Sequence, residues 1–425
     1  MIGTHRRHFF RAAMALFALC GSVFILPASA AGPRADDRLK MLAEVIELLE
    51  SGYVDPVDSR EMILKGIEEM VSGLDPHSRF LPPEAYEELR IDTRGEFGGI
   101  GIVLSMEAGR LTVVSPIEGT PAFAAGVEAG DIILAVDGES TANLKLWEAV
   151  RKMRGPKGQS VRITVLRDGA EAPIDFVLVR DIIPIVSVKS ILLEPGYGYV
   201  RITNFQSRTT EDMKRAVREM EAKERRLNGL ILDLRDNPGG LLNEAIGVSD
   251  FFLDEGVIVS IKGRLPRHTR DYRAGRSRRR GRDFPLVVLI NGGSASASEI
   301  VAGAIQDHGR GTILGTPSFG KGSVQTVEPV RDGYALKLTV YRYYTPDGRS
   351  IQTLGIVPDI EMKQRYADDD DKEMEPDRNS DRRRRRRRST RRHGPLTPES
   401  LREDHQVMRA LEILRGERIS SDGRG

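Results

Sequence analysis

The sequence predicts a multidomain protein of mixed α/β class, on three observations. Residues 37–90 carry apolar side chains at helical spacing, residues 95–180 break into short apolar runs separated by turns, and residues 183–362 alternate strands with helices. The chain has 425 residues, 40% of them apolar, which exceeds one typical domain and is enough to fill real cores.

Taken in order, residues 1–30 read as a secretory signal. A basic start (His5-Arg6-Arg7, Arg11) precedes the apolar run Ala12–Leu26, and Ala28-Ser29-Ala30 supplies the small residues a signal peptidase needs. The run is shorter than the roughly 20 residues that span a bilayer. Leu19 is too large for a lipidation site at Cys20. Cleavage after Ala30 leaves a mature chain without cysteine, so disulfides and thiolate metal sites are excluded. It also takes the net charge from +2 to −1, which favours no particular partner. An exported, cysteine-free chain fits a periplasmic location.

Residues 31–94 form an N-terminal helical region. Leu39, Leu42, Val45, Ile46 and Leu49 make one stripe, and Met62, Ile63, Ile67 and Met70 another. Leu74-Asp75-Pro76-His77-Ser78 stops the second helix, because proline disfavours helix before it. Short amphipathic helices must dock on the rest of the chain or on another copy, so a homo-oligomer is expected.

Residues 95–182 change character. A strand-like run begins at Phe97-Gly98-Gly99-Ile100-Gly101-Ile102, then come Leu111–Val114, a short helix from Pro121, a buried strand at Asp131–Val136, a helix at Leu144–Met153 and a strand at Val161–Leu166. With Pro121, Ala125-Gly126-Val127 and Gly130-Asp131, this order resembles a PDZ domain, a β-barrel-like module. The resemblance implies that Gly98, Gly99, Ile100, Gly101 and Ile102 form the loop that binds a peptide carboxylate through backbone N–H groups, the peptide adding as a strand.

Residues 183–362 read as βαβ units with function at strand ends. Tyr197–Ile202, Gly229–Leu234 and Leu286–Ile290 are strands, and Thr209–Leu227 is a helix. The second strand runs into Arg235-Asp236-Asn237-Pro238-Gly239-Gly240; the third delivers the chain to Ser294-Ala295-Ser296. Residues 363–397 stop looking folded: Asp368–Asp371 is acidic and Arg382–Arg388 is all arginine. The run reads as a solvated linker, with contact to anionic envelope surfaces as the competing reading. Export and the lack of aromatics argue against nucleic acid. Residues 398–425 form a last helix, about Pro398–Arg415, and a tail.

Chemistry concentrates at the strand ends. Serine needs a base to take its proton. Ser296 lies just before a helix whose start, Glu299–His308, is capped by Ser298. That helix dipole favours a nucleophile and a developing oxyanion. The Ala297 N–H is one oxyanion donor; the second comes from the Gly-rich turn, at Gly239 or else Gly240. His308 would sit on the order of 15 Å along the helix, out of reach of Ser296. His77 and His268 have no evident acidic orienter. Lys321 remains, in a Gly-flanked bend without charged neighbours, where desolvation can leave its amine neutral. Gln325, four residues on, could hold that amine by its amide oxygen. No cluster has metal-ligand spacing, so no metal or cofactor is expected.

Ser294–Glu299, Phe319–Gln325, Leu234–Gly240, Tyr343–Gln352 and Leu74–Ser78 together resemble the carboxyl-terminal processing peptidases, or tail-specific proteases, over about residues 37–362 and the last helix. The resemblance implies a ClpP/crotonase-like core, Ser296 as nucleophile, Lys321 as base and Gln325 as its orienter. It implies protein or peptide substrates with free C-termini, gated or tethered by the PDZ domain, and leaves open an adaptor protein. The Arg276–Arg282 loop and the 368–393 linker depart from the family pattern. Two competing readings are a PDZ scaffold with a silent core, which would have no need of the Ser/Lys/Gln set, and an acyl-CoA enzyme, which would have no need of a PDZ domain.

Overall fold

The computed structural model describes residues 33–107, 109–224, 226–275, 283–364 and 396–417. The signal segment with Cys20, the Arg276–Arg282 loop and the arginine run lie outside the described residues. The chain divides into two units, Met1–Leu74 and Asp75–Gly425.

In the first unit, α1 (Pro33–Gly52) is followed by α2 (Ser59–Ser72), capped by Asp58, whose carboxylate accepts the Glu61 N–H at 3.1 Å. In the two stripes Leu39, Leu42 and Met70 are each more than half exposed, while Ile46, Met62 and Ile67 are partly covered, so much of the apolar surface stays open.

The second unit opens on the turn Asp75–Ser78, then β1 (Arg79–Leu81) and α3 (Pro83–Arg94). The helical reading of residues 37–90 breaks here. Between Pro76 and Pro82, Arg79–Leu81 pair antiparallel with Ala335–Lys337, and Phe80 stacks on Tyr334 with ring centroids 5.0 Å apart.

β2 (Glu96–Gly99) leads into the barrel-like domain. Its elements are β3 (Ile102–Glu107), β4 (Arg110–Pro116), α4 (Pro121–Ala124), β5 (Ile132–Val136), β6 (Glu139–Ser140), α5 (Leu146–Met153), β7 (Ser160–Leu166) and β8 (Ile174–Val179). The antiparallel sheet runs β3-β4-β5-β7-β8 with β6 beside β5, around Val113, Ile133, Val136, Ile163 and Val165. The single run expected from Phe97 to Ile102 is two strands, broken at Gly101 by its φ of +78°. Asp131, buried, accepts Nε and Nη2 of Arg167 at 2.8 and 2.9 Å, which pins the turn before β5. The chain leaves through β9 (Asp181–Pro184), paired with β2.

The core follows: β10 (Val188–Glu194), β11 (Tyr197–Ile202), α6 (Thr209–Glu224), β12 (Gly229–Asp233), α7 (Leu242–Phe252), β13 (Val257–Gly263), β14 (Thr269–Arg273), β15 (Leu286–Ile290), α8 (Ala297–Asp307), β16 (Thr312–Gly315), β17 (Ser323–Pro329), β18 (Ala335–Tyr344) and β19 (Ile360–Glu361). The main sheet has the order β10-β11-β12-β15-β16-β19 and is parallel from β11 onward. Every residue of β12 and β15 is buried, as expected of central parallel strands covered on both faces. Leu230, Leu232, Val288 and Ile290 face one core with α6, α7 and α8. Tyr199, Ile231, Val287 and Leu289 face the other, closed by the C-terminal segment. A second, antiparallel sheet gathers β1, β13, β14, β17 and β18.

The expected last helix is two, α9 (Pro398–Arg402) and α10 (His405–Leu414). Asp404 breaks them, capping α10 through the Gln406 and Val407 N–H groups at 3.0 and 3.2 Å. The same residue accepts Nη1 of Arg235 at 2.9 Å, while Arg235 Nη2 reaches Asp233 Oδ2 at 2.6 Å and Nη1 also bonds Gln406. Burial pushes the Asp233 carboxyl up, but the Arg235 charge outweighs it and holds Asp233 below the usual range. This buried network anchors the tail to the strand end that carries the Gly-rich turn. Among the described residues no helix is long and apolar enough to cross a membrane.

Candidate active site

Two loops at the carboxyl ends of β12 and β15 meet. From β15 the chain runs through Asn291–Ala295 and turns sharply at Ser296, whose φ of +56° and ψ of −109° are unfavourable for a side-chain-bearing residue. The strain is held by stitches on either side. Ser294 Oγ donates to the Leu234 carbonyl at 2.8 Å, and Ser298 Oγ to the Asn237 carbonyl at 2.9 Å. Ser298 is therefore a tie to the neighbouring loop rather than the helix cap. The helix starts at Ala297, and Ser296 occupies the cap position because Glu299 reaches back to its N–H at 2.6 Å. Of the three alternating serines, two hydroxyls are committed to backbone carbonyls. The Ser296 hydroxyl instead lies against the phenol of Tyr343, which burial pushes up to about 12.

Glu299 organises the site, and the sequence reading assigned it no role. It is fully buried. Its Oε2 accepts the N–H groups of Ser296 at 2.6 Å and Lys321 at 3.0 Å; its Oε1 accepts Ser318 Oγ at 2.6 Å and the Gly320 N–H at 2.7 Å. One carboxylate thus brings the backbones of Ser296 and Lys321 onto a single oxygen. Four donors satisfy a buried group that would otherwise be costly. The available signal was position: Glu299 is three residues after the serine, where a carboxylate closes a capping box.

The bend carrying Lys321 is pinned from the other side. Gly320 has φ +87° and its carbonyl accepts the Thr353 N–H at 2.8 Å, while the Gly322 N–H donates to Gln352 Oε1 at 3.1 Å. Burial, then the positive charge of Lys337, hold the Lys321 amine below the ordinary lysine range, opposed by Glu299. Gln325 follows a register shift between Val324 and Gln325, the kind of bulge that re-aims a side chain. Its Nε2 donates to Ser323 Oγ at 2.8 Å and to Thr339 Oγ1 at 3.4 Å. Among the described residues no hydrogen bond joins Ser296 Oγ to Lys321 Nζ, or Lys321 Nζ to Gln325.

For the oxyanion donors, the structure separates the two glycines. The Gly239 N–H donates to Asn237 Oδ1 at 2.9 Å, so the first choice is already engaged. The N–H groups of Gly240 and Ala297 donate to nothing among the described residues. Gly239 matters for a different reason. At φ +104°, a Cβ there would sit 2.8 Å from Ser296 Cβ and 3.0 Å from the Ala297 nitrogen. The bare Cα leaves the space in front of the serine open.

In the small domain, Gly98 and Gly99 belong to β2 and pair with β9, and Ile100 is buried in the domain core. The Ile100 carbonyl accepts the Ala122 N–H at 2.9 Å, and the Gly101 carbonyl accepts the Ile117 N–H at 2.9 Å. The Ile100 and Gly101 N–H groups donate to nothing among the described residues, and Ile102 opens β3, an edge strand of the sheet. Beside them Arg154 lies over the Phe97 ring, 4.7 Å from its centroid.

Comparison with known proteins identifies the family. The peptidase family S41 model matches residues 196–362 and a PDZ domain model matches residues 112–167. A carboxy-terminal-processing protease of Bartonella bacilliformis is 41% identical over 409 residues, covering 94% of each chain. A carboxyl-terminal-processing protease of Synechocystis is 40% identical over 325 residues, 75% of each chain. Among solved structures, a photosystem II D1 C-terminal processing protease is 32% identical, covering 78% of this chain and 91% of its own, with a TM-score of 0.45.

Proposed function

Since this chain belongs to the carboxyl-terminal processing peptidases of family S41 and is a serine-type peptidase, we propose that it is an exported endopeptidase working by a Ser296–Lys321 dyad. The neutral Lys321 amine takes the Ser296 proton as Oγ attacks the scissile carbonyl. The Ala297 and Gly240 N–H groups hold the oxyanion. The resulting ammonium protonates the departing amine nitrogen, the C–N bond breaks, and an ester remains on Ser296. Water then gives a proton to Lys321 and its oxygen to the acyl carbon, and the ester bond breaks as the Ser296 oxygen regains its proton. Gln325 steadies the amine between steps through its amide oxygen.

The observation that carries this reading is the shared oxygen of Glu299, which supports nucleophile and base from one point. The absent hydrogen bond between the two side chains fits a resting form in which Ser296 faces Tyr343. Substrates are protein carboxyl ends, received by the Gly98–Ile102 loop and the edge of β3. The exposed apolar residues of α1 and α2, Leu39, Leu42, Ile63 and Met70 among them, support a homo-oligomer, and the signal-like first thirty residues support the periplasm. The test is labelling of purified protein by a serine-directed acylating probe alongside casein digestion. Ser296→Ala should remove both; a label on any other residue overturns the assignment.

A further inference from the structure

The Asp75–Ser78 turn lies outside the chemistry described so far, yet its hydrogen bonds run straight to it. Asp75 Oδ1 accepts the His77 and Ser78 N–H groups at 2.8 and 2.9 Å, and Oδ2 accepts Ser78 Oγ at 2.6 Å. The turn is fastened to β18 at two points: the Thr339 N–H donates to Ser78 Oγ at 3.1 Å, and Thr339 Oγ1 donates to Asp75 Oδ1 at 3.1 Å. β1 continues the attachment by pairing Arg79 with Lys337. Across the strand, Thr339 is the partner of Gln325 in the β17–β18 register.

The polarity of this chain is fixed at one end. An ionised carboxylate only accepts, so the Thr339 hydroxyl must donate to Asp75 and its oxygen is left to accept. The Gln325 group facing Thr339 is then the NH₂, not the carbonyl. Ser323 Oγ takes the second Nε2 contact at 2.8 Å. The Gln325 amide oxygen is left with no hydrogen bond among the described residues. Burial pushes the Asp75 carboxyl up, but the hydrogen bonds from Ser78, His77 and Thr339 overcome it and keep Asp75 below its ordinary value, so the anchor stays ionised.

We propose that the Asp75–Ser78 turn, acting through Thr339, is a positioning element of the active site that fixes the Gln325 amide with its oxygen free to hold the Lys321 amine. The proposal rests on Lys321 being the base. Without the turn, the amide can rotate by half a turn and present its NH₂ to the lysine, which a protonated amine cannot use. Among the described residues neither Thr339 nor Asp75 hydrogen-bonds Ser296 or Lys321.

The experiment compares Thr339→Val, Thr339→Ser and Asp75→Asn in the full chain by peptide turnover, by the rate at which an acylating probe labels Ser296, and by thermal unfolding. Thr339→Val should lower kcat and the labelling rate by about tenfold with KM within about twofold. Thr339→Ser, which keeps the hydroxyl, should restore most of the rate. In a Gln325→Ala background, Thr339→Val should cost almost nothing further, because the two act on one step. Wild-type labelling by Thr339→Val, a loss confined to KM, an equal loss in Thr339→Ser, or additive losses with Gln325→Ala would each overturn the proposal. A Lys321→Arg control isolates the premise: if it still labels at the wild-type rate, the base has been misassigned, whatever Thr339 does.

Discussion

The peptidase core and the PDZ domain both offer unused backbone N–H groups to a ligand, and they prepare them in opposite ways. In the core, side chains hold the backbone in place: Glu299 takes four donors, Ser294 and Ser298 tie two loops together, and Asn237 braces the Gly-rich turn. In the PDZ loop, the Ile100 and Gly101 carbonyls do most of the holding through backbone N–H groups, with the Thr120 hydroxyl as a second donor to Gly101, and glycine makes the path sterically open. The core should therefore be broken by removing side-chain atoms, and the PDZ loop by adding them.

The largest effects come from removing the reacting groups. Ser296→Ala should reduce peptide cleavage by about 10⁴-fold or more. Lys321→Arg should do nearly the same, because a guanidinium stays protonated and cannot accept the serine proton. Full turnover by Lys321→Arg would break the comparison at its root, since the core would then not depend on that side chain. The same dependence sets the pH profile. The active form needs a neutral amine, and burial and Lys337 lower the lysine pKa, so activity should rise with pH and level off below the ordinary lysine value of 10.5. Lys337→Met removes a neighbouring positive charge, makes protonation of Lys321 easier, and should move the acid limb to higher pH. A limb that stays in place or moves down contradicts that electrostatic account.

Next in size is Glu299→Gln. The substitution preserves shape but turns one accepting oxygen into a donor, which faces two of the four N–H and O–H groups that Glu299 now satisfies. Orphaned buried donors cost about 1–3 kcal/mol each, so stability should fall by a few kcal/mol. The turnover of the protein that remains folded should fall by about 10²-fold as nucleophile and base drift apart. Urea titration together with probe labelling separates the two losses. Unchanged labelling would mean that the shared oxygen is not what aligns the pair.

The difference between the regions also explains what was legible in the sequence. Buried strands such as Tyr197–Ile202 and Leu286–Ile290 declared themselves as apolar runs, and the structure has them at those residues. Ser296 was marked by its place just before a helix, Lys321 by its Gly-flanked, uncharged surroundings and Gln325 by lying four residues beyond it, and the family resemblance implied their roles. Glu299 did not stand out, because a glutamate in the first turn of a helix is ordinary until its burial is known. β1 was hidden by its length: three residues have no periodicity, and their pairing partner lies far along the chain. The choice between Gly239 and Gly240 depended on which N–H the Asn237 side chain occupies, a matter of side-chain direction that spacing cannot express.

The smallest effect, and the one that tests the PDZ half of the comparison, is Gly101→Ala. Gly101 has φ +78°, and a Cβ there would run into the Thr120 side chain. An alanine must either strain at positive φ, for about 1 kcal/mol or more, or rotate the loop and turn the Ile100 and Gly101 N–H groups away from their present direction. Neither change should alter the geometry at Ser296. In the full chain carrying Ser296→Ala, so that nothing is cut, binding of a fluorescent peptide with a free carboxyl end should weaken by about tenfold on adding Gly101→Ala. In the otherwise unmodified enzyme, the small acylating probe should label Ser296 at the wild-type rate. If binding is unchanged, the peptide carboxylate is held elsewhere and the loop is only a hinge into the domain. If probe labelling falls with binding, the two regions are coupled even without substrate, and the small domain helps to set the geometry of the serine site.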